Sequence, residues 1–271
     1  MTLPVYAMND ANFPEMYERH LVGPLFRPWA EELLERAALA PSDRVLDVAC
    51  GTGIVARLAK ARLGPASTVV GVDVSAPMIA VASEQDRTVD WRVGDAAALP
   101  VGDSERFDVV LCQQGMQFFT DREAAAREMR RVLAPRGRAL VSTWRPIEEN
   151  PFYFDMQRVA ERYVGPFEDQ RHSFGDGAAL GKLLEAAGFS GVQVTTVARI
   201  QTFNDPAAFL RMNTMAIVGM SGAAADQSGH DRARLTDIIA RESEPVLARY
   251  VAGGKLSFAA TTNVAVGHAA A

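Results

Sequence analysis

Lysine is nearly missing from this sequence: of its 28 basic residues only Lys60, Lys182 and Lys255 are lysine, and the other 25 are arginine. Beside so much alanine, that bias reads as genome composition rather than function. Cysteine is scarce too, at 2 residues. Cys50 and Cys112 lie far apart in apolar, strand-like segments, which excludes a disulfide-stapled scaffold and reads as a buried, reduced pair. The four histidines, His20, His172, His230 and His268, have no ligand spacing with those cysteines, so no metal is expected. No apolar run follows a basic start, so no secretory signal is expected. No stretch approaches the roughly 18 apolar residues of a membrane span. Positive charge is not in excess: a net charge of -5 gives no electrostatic reason to expect nucleic acid or an acidic membrane surface. The expectation is a cytoplasmic protein, monomer or homodimer, with a small-molecule partner.

What the chain does have is enough length for a core. Its 271 residues, 48% hydrophobic and 23% charged, suit one globular domain, or a core with an inserted cap. From 44 to about 143, β-branched runs at 44–49, 68–74, 89–93, 107–112 and 138–143 alternate with helix-like runs. These strands are apolar nearly throughout, as expected where both faces are covered. A helix over 54–63 is stopped by Gly64 and Pro65, and Ser75 can cap the next, with Pro77 in its first turn. Thr120 and Glu123 have capping-box spacing ahead of a helix whose stripe is Met129, Val132 and Leu133. This rhythm predicts an α/β fold, a doubly wound, mainly parallel sheet. Before it, 1–43 holds a helix at about 25–38. After Pro146 come an aromatic cluster (Phe152, Tyr153, Phe154, Tyr163, Phe167, Phe174) and a helix at 178–187 ended by Gly188. A strand at 192–200 follows, then helix over 206–250 broken by a Gly/Ser/Ala-rich stretch at 219–229, and last a strand at 256–266.

The chemistry concentrates in Val45-Leu46-Asp47-Val48-Ala49-Cys50-Gly51-Thr52-Gly53. A strand runs into a glycine turn where a ligand can approach the backbone, at the carboxyl edge where open α/β sheets bind ligands. Gly51-x-Gly53-x-x-Ala56 also fits a dinucleotide fingerprint. Asp47 argues against that, because a carboxylate there would repel a pyrophosphate and attract a ligand carrying ammonium and sulfonium. The alternative is that Asp47 only satisfies loop amides. Asp73 ends the second strand and can accept both ribose hydroxyls, or serve as a helix N-terminal charge. Asp95, in Gly94-Asp95-Ala96-Ala97-Ala98-Leu99-Pro100, can accept from an adenine amino group while the Ala96 amide donates to the ring.

This ordered set, with Phe107-Asp108-Val109-Val110 and the ending Glu128-Met129-Arg130-Arg131-Val132-Leu133-Ala134-Pro135-Arg136-Gly137, resembles the class I S-adenosylmethionine-dependent methyltransferases. The likeness is to the small-molecule branch with the ubiquinone/menaquinone-biosynthesis enzymes, good over about 15–146 and loose beyond. It implies a Rossmann-like, seven-stranded core with an N-terminal helical segment (1–43), an S-adenosylmethionine-binding core (44–146), and cap elements with the last core strands (147–271). By position, Asp47, Ala49 and Gly51, with Thr52 and Gly53 of the same turn, would hold the methionine part. Asp73 would bind the ribose, Val74 and Met78 would lie beside the adenine, and Gly94, Asp95 and Ala96 would read its edge. Gln113 and Gln114 would sit at the methionine end.

Two departures stand out. Ala49 replaces a frequent glycine, and 113–119 lacks the histidine pair often found there. The implied reaction is in-line methyl transfer to a small, apolar or aromatic molecule. The competing reading is a cofactor-binding, non-methylating enzyme of cyclase type. Candidate bases, should the acceptor need one, are His20, Tyr153 and His172. Phe209, Met212, Met215 and Met220 can line an acceptor pocket or be ordinary core. Tyr17, Arg27 and Trp29 lie where relatives close over the cofactor; Arg27 can pair with its carboxylate or be a surface charge.

Overall fold

The computed structural model describes residues 13–222 and 227–270; residues 1–12 of the N-terminal segment and 223–226 of the break lie outside them. The chain begins with α1 (Phe13–Tyr17), a π-helical stretch Glu18–Phe26 and α2 (Arg27–Ala37). Then come β1 (Val45–Val48), α3 (Ile54–Leu63), β2 (Val69–Asp73), α4 (Ala76–Gln85), β3 (Asp90–Val93) and β4 (Phe107–Gln113). After these follow α5 (Arg122–Arg131), β5 (Leu133–Trp144), α6 (Pro151–Val164), α7 (Gly177–Ala186) and β6 (Ser190–Phe203). The chain finishes with α8 (Pro206–Met220), α9 (Gly229–Ala248), β7 (Val251–Ala252) and β8 (Lys255–His268).

All strands join one sheet in the order β3-β2-β1-β4-β5-β8-β6, with the two-residue β7 hairpinned onto β8. The first five along that path pair in parallel; β8 runs antiparallel between β5 and β6. The doubly wound expectation therefore holds. Val45, Val69, Val109, Leu111 and Leu140 pack under α2 and α3, while Leu46, Val70, Val110, Ala139 and Val141 pack under α5 and α7. This alternation is the two-residue period of a strand with both faces covered.

Several local expectations give way to packing. The helix expected at 25–38 starts at Arg27, and the turns before it widen to π-helix around Pro24, which has no N–H for an i−4 carbonyl. The cap of α5 is Asp121 rather than Thr120: its carboxylate accepts the Ala124 N–H at 2.7 Å, a charge-assisted bond that a hydroxyl cannot match. Leu133 leaves the helical stripe to pair with Phe107 in β5, whose early residues bulge through Arg136 at φ 63. β3 is not covered on both faces, because it is the sheet edge, and Val93 is 52% exposed. Among the described residues no helix is long and apolar enough to cross a membrane, and no cluster of His, Cys, Asp and Glu could hold a metal ion.

Candidate functional site

The parallel strands bring the ends of β1, β2, β3, β4 and β5 to one edge of the sheet. Asp47 sits there almost wholly buried, at 1% exposure. Its Oδ2 accepts the Ala56 N–H of the first turn of α3 at 3.0 Å, a favourable place for negative charge. Among the described residues its Oδ1 has no partner. Burial, which outweighs the Ala56 hydrogen bond, and the nearby charge of Asp73 push this carboxyl up to about 8. The Ala56 amide of α3 therefore satisfies half of Asp47 and leaves the other half unpaired, a costly condition in a buried carboxylate.

The turn itself is left-handed at three points, with φ 57 at Ala49, 55 at Gly51 and 88 at Gly53. Ala49 takes this conformation in spite of its Cβ, at a cost of roughly 1–2 kcal/mol, and the fit is close, since a Cβ on Gly115 would lie 2.6 Å from its methyl. The two glycines have different reasons. Among the described residues a Cβ on Gly51 would meet only the Tyr17 hydroxyl, at 3.9 Å, which leaves the crevice side open to them apart from that ring. A Cβ on Gly53 would lie 2.2 Å from the Trp91 ring, and one on Gly71 2.4 Å from it. Gly53 is thus needed for the indole beneath the turn as well as for its left-handed backbone. Thr52, 1% exposed, leaves its Oγ1 unpartnered among the described residues.

Asp73 closes the turn from the next strand: its Oδ2 accepts the Gly51 N–H at 2.8 Å and its Oδ1 the Ser75 N–H at 2.9 Å. Burial raises its pKa against both hydrogen bonds. Beside it Val74 is 68% exposed and Met78 buried at 2%. Gly94 donates to the Asp73 carbonyl, and Pro100 fills the space a Cβ on it would need. Asp95 is exposed and accepts the Ala97 N–H at 2.8 Å, while Ala96 is buried. Glu128 ties this loop to α5 by accepting the Leu99 N–H at 2.9 Å. At the end of β4, Gln113 donates to the Phe26 carbonyl at 3.1 Å, and Gln114, at φ 53, turns to Thr262 Oγ1 on β8. Both leave Oε1 unpartnered among the described residues.

The N-terminal helices cover this edge. Tyr17 packs on Phe26 and Phe13, with centroids 4.9 and 6.0 Å apart, and Glu18 grips Arg57 of α3 with both oxygens at 2.8 and 3.0 Å. Phe13, Met78 and Met212 form a small apolar cluster, with Met215 against it. Arg27 is a surface charge paired with Glu31 at 3.3 Å. Trp29 is core, edge-on to Trp144 at 5.7 Å. Phe152 and Phe209 are core as well, packed around Phe258.

The structure separates the three candidate bases. His20 lies half-buried in the π-helical stretch. Tyr153 and His172 come together beyond the end of β5, with ring centroids 5.5 Å apart and Trp144 6.4 Å from each. His172 Nδ1 faces the Arg145 carbonyl at 2.8 Å. Burial holds His172 below its ordinary pKa; Asp169, the Arg145 carbonyl and Glu148 oppose this, and Arg171 reinforces it. Burial pushes Tyr153 well above the usual phenol range. Arg171 lies over the Tyr153 ring at 5.2 Å, forks onto Asp169, and donates to Asn213 Oδ1 at 2.7 Å. Asp169 stays below the usual carboxylate value although burial opposes this, because the Arg171 charge and hydrogen bonds prevail.

Sequence reasoning missed Trp91, Gln117 and the Asp169–Arg171–Asn213 network. Gly71 inside β2 was a usable sign, since glycine in a strand interior marks close approach of a bulky neighbour. Nothing local announced the network, in which Arg171 and Asn213 are separated by 42 residues.

Residues 46–141 match the family model described as Methyltransferase domain. The chain is 42% identical over 120 residues to the nocamycin O-methyltransferase of Saccharothrix syringae, covering 42% of each protein. It is 36% identical over 163 residues to the ubiquinone/menaquinone biosynthesis C-methyltransferase of Xanthomonas oryzae, covering 58% of this chain and 59% of that one. The matched stretches thus span about half the length of these relatives. The Haemonchus contortus phosphoethanolamine N-methyltransferase 2, solved with phosphomonomethylethanolamine and S-adenosylhomocysteine, superposes with a TM-score of 0.62 at 18% identity, over 100% of this chain and 60% of that one. Residues 46–141 thus carry a match to the methyltransferase domain, in a chain that has the class I methyltransferase fold and resembles the small-molecule branch of that family.

Proposed function

We propose that this protein is an S-adenosylmethionine-dependent methyltransferase acting on a small, apolar or aromatic molecule. The observation that carries the reading is Asp47, a buried carboxylate with one oxygen unpaired beneath an open glycine turn. A cationic amino-acid tail fits it; a pyrophosphate does not. In this reading Asp47, Ala49, Gly51, Thr52, Gly53 and Gln113 would hold the methionine part, with Gln114 bracing that end against β8. Asp73 would hold the ribose through lone pairs that its two amide bonds leave free. Val74 and Met78 would flank the adenine, and Gly94, Asp95 and Ala96 would read its edge. The bound donor supplies an activated methyl group on a sulfonium.

The chain's part is positioning. Holding an acceptor atom in line at ~3–3.5 Å can lower the barrier by roughly 7–11 kcal/mol. The Tyr17–Phe26 pair and the apolar cluster of Phe13, Met78 and Met212 would keep water out, where charge dispersal in the transition state is favoured. We further propose three units (1–43, 44–146 and 147–271), a cytoplasmic location, and a monomer or homodimer. Calorimetry with S-adenosylmethionine and NAD(P)H side by side tests the cofactor: heat from the nucleotide alone refutes the reading. Acceptor conversion without stoichiometric S-adenosylhomocysteine would favour the cyclase-type alternative.

A further inference from the structure

The buried groups beyond β5 have a polarity that defines an acceptor. Arg171 Nη1 holds Asn213 Oδ1, which fixes that amide and leaves Nδ2 without a partner among the described residues, in a side chain only 3% exposed. The orphan is a donor and calls for an acceptor oxygen. His172 is the converse. A carbonyl faces Nδ1, so Nδ1 carries the proton and Nε2 keeps its lone pair. Nε2 has no hydrogen-bond partner among the described residues. The Tyr153 ring joins the two groups: His172 lies 5.5 Å from it, and the Arg171 guanidinium that holds Asn213 lies 5.2 Å from it. Trp144 and Tyr153 pack beside the His172 imidazole, with ring centroids at 6.4 and 5.5 Å. Gln117, also 3% exposed, adds an amide with neither end partnered among the described residues, and its own carbonyl accepts from Ser173 Oγ.

Resting on the methyltransferase reading, we propose that His172 is the general base for a planar hydroxylated acceptor with a second oxygen beside its hydroxyl, an enol or a phenol, and that Asn213 donates to that second oxygen. The product is an O-methyl ether. Nε2 takes the hydroxyl proton, and the oxygen lone pair forms the new O–C bond as the C–S bond breaks. The bond electrons return to sulfur, leaving S-adenosylhomocysteine, and the histidinium then gives its proton to water. The groups facing His172 are Asp169 and Arg171 on its own turn, Glu148, the Arg145 carbonyl and the rings of Trp144 and Tyr153. Burial dominates this set and keeps the imidazole neutral near pH 7.

The test uses the full chain with catechol, 2-hydroxyacetophenone, phenol, aniline and thiophenol. Expected are S-adenosylhomocysteine release with the first two, and their binding to the S-adenosylhomocysteine-loaded protein by calorimetry. His172→Asn keeps a donor for the Arg145 carbonyl and lacks the base. It should slow turnover about 10²–10⁴-fold and remove the acid limb of the pH profile, with S-adenosylhomocysteine affinity within about twofold of wild type. Asn213→Ala should abolish the preference for the first two probes over phenol. Ring ¹⁵N shifts in the wild-type protein, which need no variant to fold, should show Nδ1–H and a change at Nε2 when 2-hydroxyacetophenone binds. Methyl transfer to aniline or thiophenol but to no hydroxyl overturns the proposal. So does a wild-type rate in His172→Asn, or failure of every hydroxylated probe to bind the loaded protein. If S-adenosylmethionine itself does not bind, the methyltransferase reading falls and takes this one with it; binding of the donor without transfer to oxygen overturns only this one.

Discussion

Cofactor binding should carry a pH signature set by Asp47. Its carboxyl titrates at about 8 in the free protein, because burial disfavours the charged form more than the single Ala56 amide favours it. A ligand ammonium at Oδ1 reverses that balance, so binding at pH 7 should release close to one proton from this group, ~0.9 by the ionisation fraction. Ionised Asp47 rises from about 1% at pH 6 to about 50% at pH 8, so affinity should increase about 50-fold over that interval. Asp73, also raised by burial, acts in the same direction. The assay is calorimetry with S-adenosylmethionine in buffers of differing ionisation enthalpy at pH 6, 7 and 8. Asp47→Asn should flatten the pH dependence and lose most affinity at pH 8. The sign for stability is opposite. A folded pKa above the unfolded value near 3.9 means that free-protein stability falls as pH climbs from about 4 to 8. Asp47→Asn should therefore raise the Tm of the free protein at pH 8, by about 2–4 °C for each kcal/mol relieved, and the gain should shrink toward pH 4. Affinity that is flat from pH 6 to 8, with no buffer dependence, would refute the reasoning.

Three further outcomes are expected. Gly51→Ala should fold with a loss of roughly 1–2 kcal/mol from its left-handed backbone, since its Cβ would meet only the Tyr17 hydroxyl; cofactor titration should show weakened binding, and Gly51→Val should nearly abolish it. Gly53→Ala should cost more stability, roughly 2–4 kcal/mol in urea unfolding, because strain and the Trp91 clash add. In a double-mutant cycle with Trp91→Leu, much of that cost should disappear, and simple additivity would show that the ring is not the obstacle. Asp73→Ala should weaken cofactor binding by roughly 1.5–3 kcal/mol. It should also lower the Tm of the free protein, since Gly51 and Ser75 lose their acceptor; unchanged affinity with a lowered Tm would make Asp73 a brace for the turn and nothing more.

The strand-turn-helix order and the positions of Asp47, Gly51, Asp73 and Asp95 were legible in the sequence because each depends on residues within a few positions of itself. Apolar runs of strand length, a helix stop at Gly64 and a cap at Ser75 are short-range facts, and α3 and the Ser75 cap fall where they were expected. Long-range partners were not legible. Nothing near Gly53 says that Trp91 lies under it, and nothing near Asp47 says that one oxygen has no donor and that burial moves its titration to about 8. The sequence left His20, Tyr153 and His172 level. Only the fold set His172 against the Arg145 carbonyl beside the half-buried Arg171 and the buried Asn213. Desolvation and hydrogen-bond satisfaction are properties of the surroundings, and the chain assembles those surroundings from segments that do not meet until it folds.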